Sequence, residues 1–163
     1  PQSWVASAGL AKAGEDAELK AFFDQQLQGP ASKYDCPRCH VALSESIYEA
    51  APVYTCAHCR GSLLKADVLG RIVVRRFKTF TAEEFQEAKA WFLLQKGNLN
   101  ERSPMAAIQC PACQKSMFKS IYTESTRVIV DRCTQNDCLM IWCDAGELER
   151  IQALVENEWT PSR

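Results

Sequence analysis

Cys110–Ile151 reads CPACQKSMFKSIYTESTRVIVDRCTQNDCLMIWCDAGELERI, and an earlier stretch, Cys36–Ile72, reads CPRCHVALSESIYEAAPVYTCAHCRGSLLKADVLGRI. Each opens on a C-P-x-C turn, runs through a hairpin-like segment to a second cysteine pair, and ends in a helix-like tail. Cys36, Cys39, Ile47 and Tyr48 meet Cys110, Cys113, Ile121 and Tyr122 at a constant offset of 74 residues. The offset grows to 77 at Cys56 and Cys133, and to 79 at Cys59 and Cys138. At that last offset Leu63, Ala66, Leu69, Arg71 and Ile72 meet Trp142, Ala145, Leu148, Arg150 and Ile151. Matching apolar, small and terminal Arg-Ile positions mark an internal duplication.

The cysteine spacing has a chemical reason. A divalent zinc ion takes four thiolates tetrahedrally, and a C-x₂-C turn presents two of them from one tight loop. The second pair has to return from the far end of a hairpin. C-x₂-C-x₁₆-C-x₂-C in the first unit and C-x₂-C-x₁₉-C-x₄-C in the second both follow this plan. The expected ligands are Cys36, Cys39, Cys56 and Cys59 for one ion, and Cys110, Cys113, Cys133 and Cys138 for another. A disulfide framework fits poorly with nine cysteines, an odd number. A thioredoxin-like site carries a single C-x-x-C in a βαβ setting.

Cys143 is the remaining thiol. C-x₄-C occurs twice in succession, at Cys133–Cys138 and Cys138–Cys143, so spacing alone leaves the fourth ligand open. The duplication places Cys143 opposite Leu64, an apolar slot, which makes it a small buried thiol. His40 and His58 sit inside or beside a knuckle already complete with cysteines, and are expected outside the ligand set.

The chain has 163 residues, 47% of them hydrophobic and 24% charged, room for one medium domain or two small ones. Each unit of some forty residues is near the size at which a core needs a metal staple. A net charge of −1 creates no overall field toward nucleic acid or a membrane surface. No apolar run is long enough to span a bilayer, a signal peptide is not expected, and reduced thiolates point to a cytoplasmic setting.

Outside the repeats, Leu19, Phe22, Phe23 and Leu27 predict a helix over Glu15–Gln28, ended by Gly29-Pro30. Thr81-Ala-Glu-Glu84 predicts a capping box opening a helix to Lys96, with Phe85, Ala88, Trp91 and Phe92 inward and Gly97 closing it. Asp144-Ala-Gly-Glu147 predicts a second such box, with Trp142 beneath the helix it opens. Gly70 is expected to compromise the tail helix of the first unit, and Pro52 to sit near a turn or on an edge. The expected organisation is an N-terminal tail and helix (1–32), a first unit (33–73), a connecting helix and polar linker (74–107), and a second unit with its C-terminal helix (108–163). Six basic residues between Arg60 and Lys78 (Arg60, Lys65, Arg71, Arg75, Arg76, Lys78) face only Asp67, a set better suited to offsetting thiolate charge than to holding nucleic acid.

Cys110, Cys113, Cys133, Cys138, Trp142, Asp144, Gly146, Glu147 and Leu148 resemble the zinc-ribbon family related to the N-terminal ribbon of transcription factor IIB. Members of that family end in a W-L-D-A-G-E-L-type helix start. The departures are Cys143 in place of leucine, and the four-residue second knuckle. The resemblance implies an α+β fold: two small zinc-ribbon units, each a rubredoxin-like knuckle and β-hairpin, joined by and flanked with α-helices. It implies two structural zinc ions and no single activity, since such ribbons stand alone or as appendages of membrane-associated proteins. No His-Glu-x-x-His occurs and only two histidines exist, so an enzyme is not expected. The expected role is a non-catalytic module for protein interaction or regulation, with a protein partner or another domain of a longer, membrane-associated chain. The alternative is binding to nucleic acid or the transcription machinery.

Overall fold

Alternating apolar residues and tight cysteine turns fold into short antiparallel strands, each too small to bury a face alone. In a computed structural model, which describes residues 29–75, 79–103 and 105–159, they merge into one sheet. The strands are β1 (Ala31–Asp35), β2 (Ala42–Tyr48), β3 (Ala51–Thr55), β4 (Ser62–Lys65), β5 (Phe118–Ile121), β6 (Ile129–Arg132) and β7 (Met140–Cys143). Their order is β1-β2-β3-β4-β7-β6-β5, with every neighbouring pair antiparallel. The expected α+β class holds. The helix expected over Glu15–Gln28, and Arg76, Phe77 and Lys78 of the basic stretch, lie outside the described residues.

The two units meet at β4 and β7, where Leu63 pairs with Trp142, Leu64 with Ile141 and Ser62 with Cys143. Leu63 and Trp142 are the same position of the duplicated sequence. Equivalent strands therefore pair about their equivalent residue, as two copies related by a two-fold axis would. The join gives each unit a neighbour for the strand that would otherwise be an open edge.

Alternation along these central strands sends side chains to two different cores. Leu64, Ile141 and Cys143 face a layer of helices: α1 (Ala66–Arg75), α2 (Ala82–Leu94) and α4 (Glu147–Trp159), with Ile72, Ala88, Leu148 and Ile151 buried against them. Leu63, Met140 and Trp142 face the other way, into a cluster with Leu43, Ile108, Met117 and the cysteines. Trp142 is thus fully buried on the face opposite the C-terminal helix, not beneath it as expected, because the β7 register puts Ile141 and Cys143 on the helix side. Gly61 lies against the indole: a Cβ there would stand 2.1 Å from the ring.

α1 runs through Gly70 without a break, since burial of Val68, Leu69 and Ile72 outweighs the propensity cost of one glycine. The Thr81–Glu84 capping box forms, with the Glu84 amide donating to Thr81 Oγ1 at 3.2 Å and the Thr81 amide to Glu84 Oε2 at 2.8 Å. α2 stops at Leu94, short of Lys96, and Gly97 follows with φ +86°. Within the expected polar linker a further turn forms, α3 (Leu99–Arg102), capped reciprocally by Asn98 and Glu101. Pro52 is exposed on β3 beyond Tyr54 and Thr55, the residues that β4 pairs with, so its missing amide costs no bond to that strand.

Candidate metal centres

Each cysteine pair sits on a turn of the same construction. The first cysteine of every pair donates its amide to the carbonyl two residues past the second: Cys36 to Val41 (2.7 Å), Cys56 to Gly61 (3.0 Å), Cys110 to Lys115 (2.7 Å) and Cys133 to Met140 (2.8 Å). The residue just after the second cysteine has left-handed backbone in all four: His40 (φ 58°), Arg60 (64°), Gln114 (61°) and Leu139 (52°). None is glycine, so each turn holds strain that something must offset. Where the fourth pair carries two extra residues, Leu139 donates to Gln135, not to the cysteine carbonyl, and the closing Cys133–Met140 bond is kept. The insertion is absorbed inside the turn.

These turns bring the thiols together as the spacing predicts. The Sγ atoms of Cys36, Cys39, Cys56 and Cys59 all lie within 4.8 Å of one another, as do those of Cys110, Cys113, Cys133 and Cys138. Cys36 and Cys59 are 3.7 Å apart, Cys110 and Cys138 3.6 Å, and Cys113 and Cys133 3.5 Å, all unbridged by disulfides. Four thiolates arranged tetrahedrally, each about 2.3 Å from one ion, would stand about 3.8 Å apart. The donor set and its spacing fit zinc, and each tetrad could hold one ion. In each pair the first cysteine is buried and the second half-exposed.

The local field divides the thiols. Burial pushes Cys36 up to about 12 and raises Cys110 and Cys138. Burial also works against charge at Cys56, but the amides of Cys59 and His58 pull it below the ordinary thiol value. At Cys113 the Lys115 amide does the same. Cys56 and Cys113 are therefore predisposed to ionise, and a dication bound at either tetrad would displace thiol protons.

The other candidates stand apart. His40 and His58 are exposed and in neither tetrad. Cys143 is fully buried on the helix side of β7, and burial holds its thiol well above the ordinary value.

An Arg38 staple ties the first knuckle to the second unit, and the sequence carried no signal for it. Its Nε and Nη2 donate to Oδ1 and Oδ2 of Asp144, both at 3.1 Å, and Nη2 also meets Asp131 Oδ2 at 3.3 Å. Nη1 donates to the Ala106 carbonyl. Burial opposes the charge on Arg38, yet the Asp144 hydrogen bond and the charges of Asp144, Asp131 and Glu147 hold it more firmly protonated than usual. Asp144 also accepts from the Trp142 indole at 2.8 Å. Only half of the expected capping box therefore forms there: the Asp144 amide donates to Glu147 Oε2 at 2.7 Å, while the Asp144 carboxylate serves Arg38 and Trp142.

Residues 35–75, which contain the first cysteine tetrad, match a family model described as transcription factor zinc-finger. No curated protein and no solved structure matches the chain. The resemblance to that family stands, though the match falls on the unit lacking the D-A-G-E-L helix start. Family match and paired tetrads together support a structural zinc-binding module. No described helix is long and apolar enough to cross a membrane.

Proposed function

We propose that the chain is a non-catalytic, two-zinc scaffold for protein interaction, with Cys36, Cys39, Cys56 and Cys59 holding one ion and Cys110, Cys113, Cys133 and Cys138 the other. Residues 33–73 and 108–163 act as the ribbon units, and 74–107 connects them. The observation that carries this is the placement of both tetrads around one apolar cluster, on the sheet face away from the helices. Metal binding there becomes folding free energy, on the order of 10 kcal/mol per site, and leaves the rigid helical face and sheet edges to a partner. That partner is a protein, or another domain of a longer, membrane-associated chain in the cytoplasm. Elemental analysis is expected to give two zinc equivalents, falling to one in Cys36→Ser and in Cys110→Ser, with pull-downs recovering a protein that the Cys110→Ser chain loses. Fewer than two equivalents, or no protein above that control, overturns the reading.

The name of the matched family favours a second reading, contact with nucleic acid or the transcription machinery. Arg60, Lys65 and Arg71 are exposed, although Arg71 pairs with Asp67 at 3.5 Å. Binding of this kind would weaken steeply with salt, and no gel shift at low salt would end it.

A further inference from the structure

The duplication offers an internal comparison, because among the described residues one unit has a strand that the other lacks. In the first unit β1 lies antiparallel along the outer edge of β2, with Ala31 opposite Ser44 and Asp35 opposite Ala42. The Glu45 amide donates across that edge to the Pro30 carbonyl at 2.8 Å. At the constant offset of 74, Asp35 and Ala42 become Gln109 and Ser116, and these do form an isolated bridge. One further bond follows, from the Met117 amide to the Ile108 carbonyl at 2.9 Å, and among the described residues the sheet then ends at β5.

The hydrogen-bond phase of β5 shows which groups this leaves open. The Tyr122 amide donates to Val128 on the inner side at 2.8 Å, so Phe118 and Ser120 also bond toward β6. The amides and carbonyls of Lys119 and Ile121 therefore point outward, as those of Glu45 do in the first unit. Beside this edge runs a trough of about 620 Å³, lined by Leu99, Ser103, Met105, Ala107, Met117 and Phe118. Phe118 is 57% and Met105 48% exposed within it. Lys119 spans the trough, its ammonium donating to the carbonyls of Ser103 and Met105.

We propose that the β5 edge, Phe118–Ile121, is the docking site for an extended peptide segment of a protein partner, which enters antiparallel as the counterpart of β1. The inference rests on the interaction reading above and names its surface. Main-chain bonds form to Lys119 and Ile121, Lys119 swings out, and an apolar side chain of the peptide settles between Met105 and Phe118. β1 is the template for the occupant: one strand, half-buried at the alternate positions Ser32 and Tyr34, with Tyr34 packed against the cysteine-side cluster. A single strand fits the trough.

The test is selection of a displayed library of random dodecapeptides on the zinc-loaded chain, with two variants as controls. Ile121→Pro removes an outward amide without touching a bond to β6, and Phe118→Ser installs the serine that the first unit carries at Ser44. Enriched peptides are expected to alternate apolar and polar residues, to shift the Lys119 and Ile121 amide resonances, and to bind each variant at least about tenfold more weakly. Retained zinc content and an unchanged amide spectrum away from β5 show that the variants fold. Peptides that bind both variants like the parent, or shift only residues elsewhere, overturn the β5 assignment and leave the interaction reading standing. A dimer in sedimentation that Ile121→Pro dissociates overturns it in favour of a second copy. Failure of any peptide to enrich overturns the assignment, while zinc stoichiometry and the Cys110→Ser pull-down test the broader reading separately.

Discussion

Replacing Arg38 by methionine keeps the bulk of the side chain and removes its charge and donors. The Arg38 side chain is only 10% exposed, and those of its partners Asp131 and Asp144 are 5% and 20% exposed, so little of their interaction is screened by water. Loss of one partner from a buried pair costs about 3–5 kcal/mol, because the charge left behind is uncompensated. Asp131 bears most of this. Its Oδ1 already lacks a hydrogen-bond partner, and burial raises its affinity for a proton even with Arg38 in place. Asp144 keeps the Trp142 indole and reaches solvent, which trims the penalty. About 3 kcal/mol is therefore expected, a large share of the 5–15 kcal/mol that holds a domain together. Urea unfolding at saturating zinc measures it as a lowered midpoint at constant slope. Arg38→Met combined with Asp131→Leu is expected to recover most of the loss, since an apolar pair of similar volume is neutral or better. An Arg38→Met midpoint within about 1 kcal/mol of the parent, or a double variant no more stable than the single, refutes the reasoning.

Glycine at His40, Arg60, Gln114 or Leu139 is expected to stabilise the fold by about 1 kcal/mol each by relieving left-handed strain, read as higher thermal midpoints. Cys143→Ala should retain two zinc equivalents by elemental analysis, whereas Cys138→Ser should lose one, which separates the buried thiol from the tetrad. Gly61→Ala places a methyl inside the Trp142 ring and should cost about 1–3 kcal/mol in urea unfolding. Glu147 is pushed up to about 8 by burial and by Asp144, so the folded state prefers it protonated. Its contribution is full below the ordinary glutamate range and is lost as pH rises toward about 8. Glu147→Gln, which still accepts from the Asp144 amide, should flatten stability against pH across that window.

The sequence by itself determined the duplication, both cysteine tetrads, the exclusion of Cys143, and the Thr81 capping box. Each depends on spacing along the chain: a metal site built from two turns and a hairpin is written in the intervals between its ligands, and a cap in four consecutive residues. Gly70 and Trp142 show where local reading fails, because burial of neighbours overrode one propensity and strand register chose the face of the other. Only the tertiary structure decided that the units share one sheet, with Leu63 against its own counterpart Trp142. It alone brought Arg38 to Asp131 and Asp144, residues separated from it by 93 and 106 positions. No local pattern encodes a contact at that range. It follows from the two-fold pairing of β4 with β7, which carries one knuckle over to the other unit.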